Sequence, residues 1–317
     1  MKRGTTGRRK RWWLILPLAV LALAAGIAGG LMLYVQLTTL PPPVLSDTSS
    51  EKTDISPDDY RMEEKSEEEI GKGELILVNE RHPYRFGEFE GRVFLSSVKN
   101  SYYSIRDNTV CLDGTAADAL DRMTRGFYHQ YHKKTVIVLS GWRDYEKQES
   151  LYRQRVEKEG QEKADRFVAQ AGQSEHHTGY ALDFGLYYPG GISADYTGRG
   201  VYSWLNRHAH EYGYIVRYAE EKSALTGVDY EPWHFRYVGK PHAYLITQRG
   251  FCLEEYIEFL KGYCFGEKHL LVTDGDRRKY EIYYAEGTKV PVPKEGEYTV
   301  SGNNESGFIV TVCLGEE

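Results

Sequence analysis

The chain has 317 residues and a formal net charge of -6 at pH 7, with 27% charged and 13% aromatic residues. This length suits one large domain or one domain with appendages, and the composition argues against a wholly disordered chain. An acidic chain lacks the basic surface that nucleic-acid binding requires, so we expect no nucleic-acid partner.

The amino-terminal residues predict a membrane anchor. Residues 1–11 carry six basic side chains, and residues 12–35 carry no charged one. The apolar stretch is long enough to cross a bilayer core of about 30 Å as a helix. Basic residues before such a helix keep the amino terminus in the cytoplasm. We therefore expect a cytoplasmic segment over 1–11, an uncleaved single-pass signal anchor over 12–40, and an extracytoplasmic body at the cell membrane.

A cleaved signal peptide is the alternative, although its apolar region usually runs only about 7–15 residues. After the apolar stretch, Pro41–Pro43 would end the helix, because proline lacks a backbone N–H donor. Residues 45–72 hold ten acidic and four basic side chains and almost no aliphatic ones. Such a composition cannot bury enough apolar surface to fold. The sequence thus predicts a disordered acidic tether over 41–72.

Beyond the tether, apolar periodicity predicts helices and strands of one mixed domain over 73–265. In chain order these are a strand at 74–79, a helix at 115–132, a strand at 134–139, one or two helices over 145–171, strands at 179–184 and 233–238, and helices at 240–249 and 253–261. After residue 266, short apolar runs split by glycine predict a small β appendage over 266–317. Its sequence contains no catalytic constellation, so its role stays open.

Two stretches contain residues that could bind a catalytic metal ion. The first, Q-S-E-H-H-T-G-Y-A-L-D, contains His176 and Asp183, and the second, D-Y-E-P-W-H-F-R-Y, contains Glu231 and His234. Two imidazoles and one carboxylate leave one position of a tetrahedral zinc ion open, which is typical of catalytic sites. The remaining carboxylate could accept a proton from a water molecule at that position.

The spacing within the second stretch imposes a condition on this site. On an ideal strand Glu231 and His234 would face opposite sides, because the side-chain period is two. Both can reach one ion only if the chain turns near Pro232, and proline suits the first position of a strand. Arg143 follows a buried-type strand and a glycine turn, so it is also well placed to point into a site.

Three motifs occur in order along the chain. They are S-G-W-R-x4-Q from Ser140 to Gln148, S-x-H-x2-G-x-A-x-D from Ser174 to Asp183, and E-x-W-H-x-R-Y from Glu231 to Tyr237. Their order and spacing resemble the VanY-type D-alanyl-D-alanine carboxypeptidases, a family of zinc metallopeptidases related to LD-carboxypeptidases. The resemblance covers residues 73–261 and implies an α+β fold with a central antiparallel sheet flanked by helices.

The resemblance also implies roles for individual residues. Zn2+ would be held by His176, Asp183 and His234, and Glu231 would be the general base. Arg143 would stabilise the negative oxygen that develops at the attacked carbonyl. The motif spacing selects His176 over its neighbour as the ligand.

The same resemblance implies that Gln148, Ser174 and Trp233 contact the substrate, and that His177 lies on the opposite face from the metal. The implied function is a membrane-anchored D,D-carboxypeptidase that removes the terminal D-Ala from peptidoglycan stem peptides. An LD-carboxypeptidase or a peptidoglycan endopeptidase with the same zinc site is the alternative. A non-enzymatic wall-binding module ranks low, because all three ligands and the base are present. No S-x-x-K motif is accompanied by K-T-G, which argues against serine-based wall chemistry.

Overall fold

The computed structural model describes residues 49–85, 89 and 91–316. The predicted cytoplasmic segment over 1–11 and the signal anchor over 12–40 lie outside these residues, as does the start of the predicted tether. Within the part of the chain that is described, no helix combines the length and the apolar character needed to cross a bilayer.

The strands are numbered here in chain order. They are β1 Ser49–Lys52, β2 Tyr60–Glu64, β3 Arg92–Phe94, β4 Ser104–Ile105, β5 Cys111–Asp113, β6 Val136–Ser140, β7 Ala181–Tyr188, β8 Ile192–Asp195, β9 Tyr214–Val216, β10 His234–Tyr237, β11 His269–Thr273, β12 Arg278–Glu286, β13 Lys289–Pro293, β14 Glu297–Gly302 and β15 Gly307–Glu316.

The α-helices are numbered in the same way, and short 3₁₀ turns join several elements. The helices are α1 Leu95–Val98, α2 Gly114–Tyr131, α3 Tyr145–Glu159, α4 Gln161–Phe167, α5 Ser203–His208, α6 Ser223–Thr226, α7 Lys240–Arg249 and α8 Leu253–Leu260. The 3₁₀ turns are Pro57–Asp59, Glu69–Gly71, Glu175–Thr178, Gly200–Tyr202, Ala209–Tyr212 and Glu220–Lys222.

A mixed sheet with the order β4–β6–β7–β10–β9 forms the centre of the predicted catalytic domain, and β8 pairs with the second half of β7. Only β4 and β6 run parallel among its described pairs. Helix α2 begins after Asp113, whose carboxylate accepts the N–H of Thr115. It buries Leu120, Met123 and Phe127, each at most 1% exposed. The predicted α+β fold with a largely antiparallel sheet and flanking helices is confirmed.

The register of this sheet brings the motif residues together. Asp183 lies in β7, directly opposite His234 of β10 on one side and Ser140 of β6 on the other. The end of β6 therefore delivers the S-G-W-R turn to the same place as the zinc-ligand candidates. Three segments that are far apart in sequence meet because β7 is the central strand between the other two.

A second, antiparallel sheet has the order β1–β11–β12–β15–β14. Ile282 and Tyr284 of β12 belong to an apolar core shared with α7 and α8. Tyr283 and Ala285 belong to a separate core on the other face, shared with β13. Successive residues of β12 thus alternate between two covered faces, which explains the uninterrupted apolar run at 282–285.

The prediction of a disordered tether over 41–72 is wrong for the residues that are described. Strand β1 pairs with β11, and β2 pairs with β13. Lys52 Nζ and Tyr60 OH both donate to Glu281, and Ile70 lies in the β13 core. The composition of residues 41–72 alone predicts disorder, because the segment has few apolar side chains of its own. These short strands are instead held by backbone pairing and by apolar side chains of their partner strands. The β appendage therefore includes residues from before the catalytic domain as well as residues 266–316.

The predicted strand at 74–79 does not form. Leu75, Ile76 and Leu77 are at most 2% exposed, but the backbone of this segment is bonded by side chains and by the carbonyl of Asn303, which lies outside the strands. The N–H of Leu75 donates to Ser301 Oγ, and Arg236 Nη2 donates to the carbonyl of Ile76. The apolar run reflects burial of an irregular connection and not membership of a sheet.

Candidate active site

His176, Asp183 and His234 lie together, and one donor atom from each lies within 4.8 Å of the others. His176 Nε2 is 3.2 Å from Asp183 Oδ2, and His234 Nδ1 is 3.0 Å from Asp183 Oδ1. Both imidazoles are buried, and the carboxylate is partly buried. Two imidazole nitrogens and one carboxylate oxygen converging in this way fit a zinc ion.

The orientation of His176 is fixed by the turn that ends β6. His176 lies in the 3₁₀ turn Glu175–Thr178, and its Nδ1 donates to the carbonyl of Gly141 at 2.6 Å. Because a carbonyl can only accept, the ring proton lies on Nδ1 and the lone pair on Nε2 faces the cluster. A hydrogen bond of this kind to the distal nitrogen is the usual support of a metal-binding histidine.

Two of the three donors, His176 and Asp183, are already in the protonation state that binds a metal ion. Burial lowers the pKa of His176 to about 4, and the Arg143 cation acts in the same direction. Although burial favours the neutral acid, both imidazoles and Arg143 hold the pKa of Asp183 well below its usual value. Burial opposes the charge on His234 as well, but its hydrogen bonds to Asp183 and Glu175 raise its pKa to about 9. Metal binding therefore has to displace a proton from His234.

Glu231 lies beside this cluster because the chain turns at Pro232. The N–H of His234 donates to the carbonyl of Glu231 at 3.1 Å, and Glu231 Oε2 lies 3.9 Å from His234 Nδ1. The condition that the sequence imposed on this pair is therefore met. Burial, reinforced by the charge of Asp183, raises the pKa of Glu231 to about 8. A carboxylate with a raised pKa is suited to take up and return a proton.

Arg143 supplies a fixed cation at the same place. Its Nη2 donates to Asp183 Oδ2 at 2.7 Å and lies 3.1 Å from His176 Nε2. Its Nε donates to Ser140 Oγ at 2.8 Å, and its Nη1 donates to Gln148 Oε1 at 3.0 Å. All three guanidinium nitrogens are thus bonded to side chains in or beside the cluster, so a fixed cation lies against the ligand candidates.

Two of the predicted substrate contacts are buried and bonded to residues of the site. Gln148 is 1% exposed, and its Nε2 donates to the carbonyl of Ala169 while its Oε1 accepts from Arg143. Ser174 is 4% exposed, and its Oγ accepts the N–H of His176. Both side chains support residues of the cluster rather than facing an open cleft. Trp233 is partly exposed, and its contact with substrate stays a prediction.

His177 faces away from the cluster, as the motif spacing indicated. Its Nε2 accepts the N–H of Gly172 at 3.0 Å, and its Nδ1 donates to the carbonyl of Arg143 at 2.8 Å. Both ring nitrogens therefore hold backbone near the site. Of the two adjacent histidines, only His176 offers a nitrogen to the cluster.

Sequence reasoning missed a group of buried charges behind His234. Glu175, Arg217 and Arg236 have fully buried side chains, and both arginines donate to Glu175 Oε1. Two signals were available in the sequence. They are Glu175, which directly precedes a ligand candidate, and Arg236, a charged residue within β10. Neither reveals a partner, because the arginines lie 42 and 61 residues further along the chain.

The chain is similar to several known proteins. The family model described as VanY: D-alanyl-D-alanine carboxypeptidase matches residues 110–240. A D-alanyl-D-alanine carboxypeptidase of Enterococcus faecium is 33% identical over 261 residues, which cover 79% of this chain and 78% of that protein. The chain therefore resembles this relative over most of the length of both proteins.

Solved structures show the same likeness. The vancomycin-resistance D,D-dipeptidase VanXYg, in complex with a D-Ala-D-Ala phosphinate analogue, is 32% identical with a TM-score of 0.71, covering 80% of this chain and 99% of that chain. The LD-carboxypeptidase LdcB is 32% identical with a TM-score of 0.50, covering 57% of this chain and 84% of that chain. The likeness to VanXYg extends beyond residues 110–240, so the shared fold is larger than the family domain.

The two imidazoles and one carboxylate are a donor set that fits zinc, the cofactor expected from the motifs. The ordered motifs, the converging side chains and the extent of the sequence match lead to one assignment. The chain belongs to the VanY family of D-alanyl-D-alanine carboxypeptidases, which are zinc-dependent metallopeptidases.

Proposed function

We propose that this enzyme hydrolyses peptidoglycan stem peptides that end in D-Ala-D-Ala and releases the terminal D-Ala. Zinc would be held by His176, Asp183 and His234, and Glu231 would be the general base. The observation that carries this proposal is the buried Glu231 carboxylate, 3.9 Å from a ring nitrogen of the ligand cluster. The D-Ala-D-Ala analogue bound by the similar VanXYg supports the choice of substrate.

The residues around the metal would divide the chemistry between them. Zinc, when bound, supplies the Lewis acidity that makes a water molecule nucleophilic near neutral pH. Glu231 accepts the proton of the attacking water and returns it to the leaving amine. Arg143 donates N–H groups to the oxygen of the attacked carbonyl as its negative charge develops. Gln148 accepts from Arg143 and keeps it in place.

The likeness to LdcB supports a second candidate, an LD-carboxypeptidase that acts on tetrapeptide stems. The ligand cluster is compatible with either reaction, because both cut a carboxyl-terminal D-Ala. We would incubate the enzyme with pentapeptide, tetrapeptide and cross-linked stems and weigh the products. We expect the pentapeptide to lose one D-Ala and the tetrapeptide to persist. Faster cleavage of the tetrapeptide would favour the LD-carboxypeptidase, and cleavage only of cross-linked stems would favour an endopeptidase.

We also propose that the enzyme is held at the cell membrane by a single helix over 12–40, with its catalytic domain outside the cytoplasm. The support is the uncharged stretch 12–35 behind six basic residues. Fractionation tests this directly. We expect the full chain to remain in the membrane fraction after alkaline washing, and a variant that begins at residue 43 to be soluble. A cleaved signal peptide would instead give a soluble mature protein whose first residue follows the apolar stretch.

A further inference from the structure

A buried carboxylate behind the ligand cluster has no part in the chemistry proposed above. The side chain of Glu175 is fully buried, and its Oε1 accepts from Arg217 Nε at 2.7 Å and from Arg236 Nη1 at 2.9 Å. Its other oxygen, Oε2, lies 3.5 Å from His234 Nε2. Both of these atoms are buried, and neither has another hydrogen-bond partner among the described residues. Glu175 Oε2 and His234 Nε2 thus face each other in the interior, and this contact is the one polar partner that the described residues offer to either atom.

The two ring nitrogens of His234 therefore face different groups. Nδ1 lies 3.0 Å from Asp183 Oδ1 in the ligand cluster, whereas Nε2 faces Glu175. An imidazole can bind a metal only through a nitrogen with a free lone pair, so the ring proton must lie on the other nitrogen. A carboxylate is an acceptor that can hold this proton at Nε2.

Glu175 lies between two buried cations. The side chains of Arg217 and Arg236 are as fully buried as that of Glu175, and both donate to its Oε1, which favours the ionised carboxylate. Arg217 also forms a two-bond pair with Glu254 of α8, at 3.0 and 2.7 Å. Arg236 donates to the carbonyl of Ile76. Two cations and two anions balance, so the interior can hold them without a net charge.

We propose that Glu175 is a positioning residue that keeps the proton of His234 on Nε2 and so presents Nδ1 to zinc. This inference rests on the proposed function, in which His234 is a zinc ligand. The observation that supports it is the 3.5 Å distance between Glu175 Oε2 and His234 Nε2. Two buried arginines hold the other oxygen of Glu175.

The variant Glu175→Gln tests whether Glu175 acts by accepting the proton of His234 or only by filling space. Glutamine has the same shape, but only one end of its amide accepts hydrogen bonds. Arg217 and Arg236 require that acceptor, so the amide NH2 faces His234 and donates to Nε2. The ring proton then moves to Nδ1, the nitrogen that the metal needs. We expect the dissociation constant for zinc to rise about 10- to 100-fold.

The matched control is Glu254→Gln, which removes the same charge from the same network through Arg217 but does not contact His234. The full-length proteins would be titrated in detergent with zinc against a chromophoric chelator, and circular dichroism would verify folding. We expect the zinc affinity of Glu254→Gln to stay within about threefold of the parent, because no metal-binding atom changes its partner. If Glu175→Gln fails to fold, Glu175→Asp keeps the charge but withdraws it by one methylene, and we expect weaker zinc binding than in Glu254→Gln.

The outcomes separate this inference from the proposed function. Equal zinc affinities of the Glu175 and Glu254 variants would overturn the positioning role, and zinc-dependent hydrolysis by the parent would still uphold the function. Failure of the parent to bind zinc would overturn both. As a second readout, long-range 1H–15N spectra of the zinc-loaded parent should show His234 protonated at Nε2. A proton on Nδ1 in that protein would contradict the inference.

Discussion

Glu231 shows how one local turn assembles the proposed chemistry. The residue lies three positions before His234, and an extended chain would point the two side chains to opposite sides. The turn at Pro232 instead brings Glu231 Oε2 to 3.9 Å from His234 Nδ1. Burial then favours the protonated acid and raises the pKa of Glu231 to about 8. A base whose pKa lies near neutral pH can both accept and return a proton within one turnover.

The variant Glu231→Gln tests the role of this carboxylate. Glutamine fills the same space but cannot accept the proton of the attacking water, so we expect kcat to fall by about 10² to 10⁴. Zinc content should stay at one ion per chain, because Glu231 is not one of the three proposed ligands. Turnover of a pentapeptide stem and atomic absorption measure the two quantities. Turnover near that of the parent would show that another group is the base.

Arg143 is expected to act on the transition state. In Arg143→Gln the attacked carbonyl loses a charged donor, and we expect kcat to fall by about 10² to 10³ at saturating zinc. Arg106, an exposed arginine paired with Asp107, provides a control of the same chemistry. Steady-state kinetics of Arg106→Gln should match the parent. Equal losses in the two variants would mean that general surface charge, and not a specific donor, matters.

At the scale of the elements, the turn between β6 and α3 leaves no space for a side chain at Gly141. The carbonyl of Gly141 accepts from His176 Nδ1, and the N–H of Trp142 donates to the carbonyl of Cys111. A Cβ at Gly141 would lie 2.2 Å from the carbonyl oxygen of Cys111. Any side chain at this position must therefore move the backbone that orients a zinc ligand.

The variant Gly141→Ala tests this constraint. We expect a loss of stability of about 1–3 kcal/mol, since overpacking forces the backbone to shift, together with weaker zinc binding through His176. Gly114→Ala is the control, because its added Cβ would lie 3.6 Å from the carbonyl oxygen of Gly91, an ordinary van der Waals distance. Its stability should change by no more than about 0.5 kcal/mol. Thermal melts and zinc titrations measure both variants, and an unchanged Gly141→Ala would contradict the account of the turn.

The elements also show what could be predicted from sequence and what could not. Helix α2 and strand β6 were predictable, because their own side chains carry the apolar period that buries them. The ligand candidates were predictable because three motifs keep a fixed order and spacing. Strands β1 and β2 were not, since their partners β11 and β13 lie more than 200 residues away and supply the apolar surface. The network around Glu175 was hidden for the same reason, because each arginine is contributed by another segment.

At the scale of the whole molecule, α7 and α8 join the two sheets through a buried histidine. His242 of α7 is 1% exposed, and its two nitrogens lie 2.7 Å from Tyr256 OH and 2.9 Å from Thr311 Oγ1. These partners belong to α8 and β15. The β sheet that includes residues 49–52 is thus bonded to the helices behind the catalytic sheet, so it is an integral part of the fold.

Stability should fall in acid because His242 must stay neutral. Burial lowers the pKa of His242 from 6.5 to about 3, so between these values the unfolded chain binds one more proton than the folded one. The stabilisation is complete above pH 6.5 and is lost as the pH falls toward 3, at up to about 1.4 kcal/mol per unit. Denaturant unfolding of the parent and of His242→Gln at pH 7.5, 6 and 5 measures the difference. We expect a shallower loss in the variant, and equal slopes would assign the acid sensitivity to other groups.

The zinc dependence of hydrolysis tests the central claim most directly. The purified enzyme would be stripped of metal with a chelator, freed of the chelator, and incubated with a pentapeptide stem while zinc is added back in steps. The account predicts no release of D-Ala from the stripped enzyme and full recovery at one equivalent of zinc. Release of D-Ala at the original rate by fully metal-free enzyme would contradict it.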